Sequence, residues 1–202
     1  TGVQTCALPI CQKFMTKITD QSHRLSNLVS DLLALARLDE REKSPRTKID
    51  LRTLIDERIT SLSKVTAPEK MADLLFDAPE SPVFVFGDEE ELRQAIGNLI
   101  DNGLKYTPSA GSIRTLLTTE DRQAVIKIQD NGIGIPEEFL DRIFERFFRV
   151  DKARSREIGG TGLGLAIVKN ICLKHEGNVE VESRDGQGTT FTITLPLHPD
   201  QQ

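Results

Sequence analysis

The sequence predicts an α+β fold: a two-layer α/β sandwich preceded by a long lone helix. Three observations point there. The stretch from Gln12 to Glu42 has neither glycine nor proline and carries apolar residues at heptad spacing. Between residues 48 and 195, segments of helical period intermix with short segments that alternate apolar and polar. Several of the alternating segments come in pairs around tight-turn residues, which favours antiparallel strands with helices packed against them.

The first helix is read from its seam. Ile18, Leu25, Leu28, Leu32 and Leu35 are spaced seven, three, four and three, the a/d pattern of a coiled coil or helical bundle. Leu33, Ala34, Ala36 and Leu38 widen the stripe, which one helix cannot bury alone. The run from Asp39 to Pro45 ends it with charge and a proline. With Leu25 at position a, His23 falls at f on the outer face, which predicts a solvated surface residue. Its context, Asp20-Gln21-Ser22-His23-Arg24-Leu25, also fits a phosphate-accepting histidine.

The remaining elements follow in order. Lys48–Leu51 reads as a short strand, followed by an amphipathic helix with Leu54, Ile55, Ile59 and Leu62 on one side. Met71–Asp77 and Val83–Phe86 read as strands separated by Pro79 and Pro82. Asp88 caps a helix reaching about Tyr106, with Leu92, Ala95, Ile96, Leu99 and Ile100 on its buried face. Ile113–Thr119 and Ala124–Gln129 predict a hairpin around Glu120-Asp121. Thr161–Lys174 reads as a helix, and Val179–Ser183 pairs with Thr189–Leu195 around Asp185-Gly186-Gln187-Gly188.

Composition narrows the function classes. At 202 residues, 38% hydrophobic and 28% charged, the chain fits one globular domain with an appendage. With 26 Lys plus Arg against 31 Asp plus Glu, the net charge of −5 argues against non-specific binding to nucleic acid or anionic lipid. No apolar run approaches the ~18 residues of a membrane span. Cys6, Cys11 and Cys172 have no metal-ligand spacing, and their odd number makes no disulfide framework. A reducing compartment with a buried thiol at Cys172 is expected. Thr1–Ile10 is similar to the translation of a common sequencing adapter. We therefore expect residues 1–11 to be a non-native leader, with the gene cut before Gln12.

Three glycine- and amide-rich stretches carry the chemistry. In the first, Asn98, Asn102, Lys105 and Tyr106 fall at i, i+4, i+7 and i+8, one stripe of a helix. Amide oxygens suit a hard cation such as Mg²⁺, which keeps waters and bridges phosphates, and Lys105 adds a mobile positive charge. The second is Asp130-Asn131-Gly132-Ile133-Gly134-Ile135-Pro136, directly after a strand. A carboxylate at a strand end can accept a hydrogen bond from an exocyclic amine, and the glycines permit close approach to a flat ligand. The pattern also fits a plain turn. The third is Gly159-Gly160-Thr161-Gly162-Leu163-Gly164-Leu165, where glycines before a helix start present N–H groups toward an anion. The hydrophilic, cation-rich segment Arg149–Glu157 before it reads as a loop able to fold over phosphates.

In this order the three stretches resemble the N, G1 and G2 boxes of the GHKL ATPase superfamily. Ile143–Asp151 resembles the F box of bacterial sensor histidine kinases, and Leu25–Asp39 resembles the second helix of their dimerisation domain. The resemblance implies the Bergerat ATP-binding fold over residues 48–198, with residues 12–44 as the incomplete dimerisation and phosphotransfer part. It implies ATP and Mg²⁺ as cofactors. Asp130 would accept the adenine amine, and Asn102 would hold the metal with Asn98 on the same face. Lys105, Tyr106 and Arg149 would hold the phosphates, with Asn98, Lys105 and Arg149 serving catalysis. Gly132, Gly134, Gly160, Thr161, Gly162, Leu163 and Gly164 would let the backbone approach, residues 144–164 would form a lid, and Thr189 or Thr190 would touch the base indirectly. Gly103 stands where the family commonly has alanine, an exchange that weakens an exposed helix by ~1 kcal/mol.

The implied activity is transfer of the γ-phosphoryl of ATP to a histidine, for relay to an aspartate on a response-regulator receiver domain. The intact parent would be a homodimer anchored at the inner membrane, with this piece cytoplasmic. The family's acceptor is followed by an acidic residue and soon by a proline, whereas His23 is followed by Arg24. Asp39 also lies only about four turns beyond His23, too short for a helical hairpin. The acceptor is therefore expected to lie outside this chain. Two further readings are a GHKL serine kinase of anti-sigma type and a non-catalytic ATP-binding module. A gyrase- or mismatch-repair-like ATPase would need further domains.

Overall fold

A computed structural model describes residues 7–39, 46–65, 72–151 and 160–199. The helix α1 spans Ala7–Asp39 and so begins within the stretch read as a leader. It is followed by β1 (Thr47–Asp50), α2 (Leu51–Val65), β2 (Asp73–Asp77), β3 (Phe84–Gly87) and α3 (Glu89–Tyr106). Then come β4 (Ser112–Glu120), β5 (Gln123–Asp130), a single 3₁₀ turn (Glu137–Phe139), α4 (Gly164–Lys174), β6 (Asn178–Arg184) and β7 (Gly188–Pro196).

Five strands form one sheet in the order β2-β4-β5-β7-β6, while β1 and β3 form a separate antiparallel pair. The expected hairpins are present: Glu120 pairs with Gln123, and Arg184 pairs with Gly188. One contact departs from the antiparallel expectation. Strand β2 runs parallel to β4, with Leu74 opposite Ile113. A parallel pair needs a crossover connection, and β3 with α3 supply it.

Alternation decides what the sheet buries. Ile113, Thr115 and Leu117 of β4, Ile126 and Ile128 of β5, and Phe191, Ile193 and Leu195 of β7 are all buried. Registered neighbours such as Leu117, Ile126 and Ile193 form continuous rows across three strands. Asp130 sits in phase with Ile126 and Ile128, in the row of Ile113 and Thr189. A carboxylate therefore occupies the last inward position of a core strand.

Helices α3 and α4 cover the buried face. Asp88 caps α3 by accepting the Glu91 N–H at 3.1 Å, and the expected face of Leu92, Ala95, Ile96, Leu99 and Ile100 is buried. At Gly103, an added Cβ would lie 3.1 Å from Ile113 Cδ1. The glycine thus admits the Ile113 side chain beneath the helix, which offsets its low helix propensity. Helix α4 starts at Gly164, three residues later than the apolar pattern indicates, because Gly162 takes φ +76° and breaks the helical path. Cys172 is buried, and burial pushes its thiol up to about 12.

Helix α1 is not without contacts. Leu35 is buried in the domain core and Leu28 is half-buried, whereas Ile18, Leu25 and Leu32 remain exposed. Its C-terminal end packs on α4. His23 lies on this helix, and its side chain is outside the described residues.

His175 ties the far ends of α3 and α4 together. Its Nε2 accepts the Asp88 N–H at 3.0 Å and its Nδ1 lies 2.8 Å from the Ile171 carbonyl, which fixes a neutral ring with the proton on Nδ1. Gly87 makes room for the ring, since a Cβ there would come within 2.5 Å of Cδ2. Burial pushes His175 below the ordinary histidine value, with the Ile171 hydrogen bond and the Glu91 charge opposing it in part. As pH falls through about 6.5 the unfolded chain takes up this proton before the folded one, so stability declines in that direction.

Two predictions follow from these elements. Urea denaturation of the wild type at pH 7.5 and 5.5 should show lower stability at pH 5.5, and His175→Gln should reduce the difference. In the β4–β5 turn, Asp121 and Arg122 both take left-handed backbone, at φ 47° and 65°. Asp121→Asn with Arg122→Gly should add about 1 kcal/mol and raise the melting temperature by roughly 2–4 °C in a thermal scan.

Candidate functional site: a cavity between α3, α4 and the end of the sheet

A cavity of about 510 Å³ opens where α3 and α4 meet the β5 end of the sheet. Its polar border includes Asn98, Asn102, Lys105 and Tyr106 on α3, with Arg149, Gly160, Thr161, Gly162 and Gly164 on the opposing segment. Gly134 and Thr189 close the side toward the sheet. The helical stripe read from the sequence and the two glycine-rich stretches thus converge on one space. Lys152 to Gly159, most of the expected phosphate-covering loop, lie outside the described residues.

Three of the expected residues do not border the cavity. Leu163 is fully buried and anchors the start of α4 in the core. Gly132 passes so close to α3 that a Cβ would lie 2.4 Å from the Tyr106 carbonyl. Asp130 lies beside Thr189 in the sheet register, 9% exposed. Its Oδ1 accepts the Gly132 N–H at 2.9 Å, and it also takes the Thr189 N–H. Burial raises its pKa above the ordinary aspartate value, and these two N–H groups offset that only in part. Ionising this carboxylate at neutral pH therefore costs the fold, which marks it as placed for something other than stability.

A hydroxyl pair supports the floor. Ser183 Oγ accepts the Ile135 N–H at 2.8 Å and donates to the Gly188 carbonyl at 2.8 Å. Its 2.9 Å contact with Thr189 Oγ1 then makes Thr189 the donor, and the Thr189 lone pairs remain for a ligand. The sequence reading missed Ser183, whose role depends on the β6–β7 register. Gly188 is required here, because at φ +96° a Cβ would meet the Asp130 carbonyl at 2.0 Å.

The lining sets the cations Lys105 and Arg149 among the carboxylates Asp31, Asp101, Asp151 and Asp185, with apolar walls beside them. Asn98 Nδ2 donates to the Gly164 carbonyl at 3.3 Å, leaving its amide oxygen to accept or coordinate. Arg149 has Nε and Nη2 buried without a hydrogen-bond partner among the described residues. Buried guanidinium donors call for an acceptor, and a phosphate oxygen supplies one. Ile133, Ile135, Ile143, Phe148 and Phe191 form apolar walls suited to a flat ring. The reading from sequence also missed Ser30 and Asp31 of α1, which border the same space. No local signal marks them, since the contact is made between distant elements.

Gly134 supplies a test of this geometry. It takes φ +70°, and a Cβ would lie 2.0 Å from the Arg184 carbonyl. Gly134→Ala should cost at least ~2 kcal/mol in urea denaturation, well beyond the usual effect of an exposed loop substitution.

Comparison with known proteins agrees with this geometry. Residues 87–199 match the family model described as histidine kinase-, DNA gyrase B-, and HSP90-like ATPase. The chain is 39% identical over 192 residues to the sensor-like histidine kinase SenX3 of Mycolicibacterium smegmatis, covering 95% of this chain and 50% of that protein. It is 38% identical to the sensor histidine kinase RppB of Synechocystis over 94% of this chain and 42% of that protein. The chain thus spans about half the length of the curated relatives it matches. Among solved structures, the mycobacterial sensor histidine kinase MprB superposes with a TM-score of 0.64 at 32% identity, covering 77% of this chain and 99% of that one. Full-length ShkA in complex with AMPPNP gives 0.77 at 28% identity, covering 92% of this chain and 38% of that one. The cavity, its amide stripe and these likenesses agree: the chain belongs to the histidine kinase-, DNA gyrase B-, and HSP90-like ATPase family, as the ATP-binding catalytic domain of a sensor histidine kinase.

Proposed function

We propose that this domain binds Mg-ATP in the cavity and transfers the γ-phosphoryl group to a histidine, from which an aspartate of a response-regulator receiver domain takes it. The observation that carries the reading is the pairing across one cavity of the Asn98–Asn102–Lys105 stripe with Arg149, whose buried donors have no partner among the described residues. Asp130, supported from below by Gly132, accepts the adenine amine, with Thr189 assisting from the cavity side. The apolar walls exclude water from the ring. Lys105, Tyr106 and Arg149 hold the phosphates, and Asn98, Lys105 and Arg149 orient and neutralise the group in transfer. Phosphoryl transfer asks little covalent chemistry of a protein and much positioning and charge neutralisation.

The donor set also fits Mg²⁺. Asn102 would hold it with the Asn98 oxygen alongside, and the ion would neutralise charge on the phosphates. The backbone around Gly160, Thr161, Gly162 and Gly164 closes the phosphate side, while Leu163 fixes it to the core.

In the intact parent, residues 12–44 belong to a homodimeric phosphotransfer part and residues 48–198 to the catalytic domain. The parent is a membrane-anchored sensor with this portion on the cytoplasmic side. No helix among the described residues is long and apolar enough to cross a membrane. The accepting histidine is supplied by a partner segment, not by His23.

The test combines binding with transfer. Calorimetry with a Mg-ATP analogue should show tight binding to the wild type. Asp130→Asn should lose at least about 100-fold, as expected when a buried polar partner is lost, while its melting temperature holds or rises. Incubation with γ-labelled ATP and a histidine-bearing helical hairpin from a sensor kinase should put acid-labile, base-stable label on the hairpin. Acid-stable label on serine would assign a serine kinase instead, and binding without transfer would assign a binding module.

A further inference from the structure

Helix α1 reaches into the cavity. Ser30 and Asp31 form part of its border, and Thr161 Oγ1 donates to Asp31 Oδ2 at 2.7 Å. The same Thr161 oxygen lies 3.3 Å from the Leu163 N–H, at the entry to α4. One turn further along α1, Leu35 is buried at 4% exposure, whereas Phe14, Met15 and Ile18 are all above 60%. Among the described residues, the helix is therefore seated on the domain around Leu28 to Leu35.

That seating brings a carboxylate of α1 to a border that already holds Asp101, Asp151 and Asp185 as well as the cations, and of the four it is Asp31 that engages Thr161. Lys105 borders the cavity, and Arg149 offers buried donors with no partner among the described residues. A bound triphosphate would bring several negative charges beside Asp31. It would also lose the Thr161 hydroxyl, which Asp31 already engages. Both effects oppose simultaneous occupation, and both grow with the number of phosphates rather than with the base.

We infer that the Asp31–Thr161 contact is a latch through which docking of α1 and binding of the nucleotide's phosphates compete. The inference rests on the reading of the cavity as an ATP site. Because coupling between two binding events is reciprocal, nucleotide must loosen α1 as much as docked α1 weakens nucleotide.

The test is calorimetry on the full chain with adenosine, ADP and a non-hydrolysable ATP analogue, each with Mg²⁺. Asp31→Asn removes the charge but retains an acceptor for the Thr161 hydroxyl, and Asp31→Ala removes both. Both variants should bind the ATP analogue at least about fivefold more tightly, ADP less so, and adenosine within about twofold of the wild type. In the wild type, the analogue should raise backbone hydrogen exchange over residues 28–35. Unchanged or weakened analogue binding in either variant overturns the latch, as does equal tightening for adenosine. A wild type that binds the analogue while indifferent to Asp31 sinks the latch alone. One that binds neither adenosine nor analogue takes the ATP reading down with it.

Discussion

The burial of one carboxylate organises this molecule. Asp130 occupies an inward position of β5, in phase with Ile126 and Ile128, where hydrophobic burial alone would call for another apolar side chain. Its partners are backbone N–H groups of Gly132 and Thr189. That choice fixes the path of the chain on both sides. Gly132 must pass against the Tyr106 carbonyl, and the Ile133 N–H then bonds that same carbonyl at 3.2 Å. Gly188 must pass against the Asp130 carbonyl. The C-terminal end of α3, which carries Lys105 and Tyr106, is thereby registered against the end of the sheet. Strand, turn and helix meet at one acid, and the cavity is the space they leave.

The helix pair adds the second constraint. Asn98 and Gly164 face each other across α3 and α4, close enough for a side-chain to backbone hydrogen bond, and a Cβ at Gly164 would lie 3.7 Å from the Asn98 amide. The two helices converge at the cavity and are clasped at their other ends by His175 and Gly87. A Lys174–Glu91 ion pair at 2.6 Å reinforces that far end. The clasp thus lies away from the cavity, which Arg149, Gly160 and Thr161 border from the other side.

Much of this was legible in the sequence because it is local. The seven- and two-residue periods locate the helices and hairpins, and the buried face of α3 matches the pattern residue by residue. The amide stripe of α3 follows from helical geometry alone. What was not legible is what depends on distance along the chain. The parallel pairing of β2 with β4 spans a strand and a helix, and no local signal encodes it. The late start of α4 follows from Gly162, whose left-handed backbone is set by its packing against Phe147. The Ser183–Thr189 hydroxyl pair depends on strand register, and the place of Asp31 on an inter-element contact. Gly103 looked like a weakness of the helix and is instead an accommodation of Ile113.

The length of α1 turns its small footing into mechanical advantage. The helix is continuous over 33 residues, about 50 Å at 1.5 Å per residue. Leu35 is its buried foot, with Asp31 about 6 Å and Phe14 about 31 Å away along the axis. A tilt about Leu35 that moves Asp31 by about 1 Å swings Phe14 through about 5 Å. A displacement no larger than the difference between a made and a broken hydrogen bond at Asp31 is thereby magnified at the exposed apolar end. The helix is a lever with its short arm at the border of the cavity.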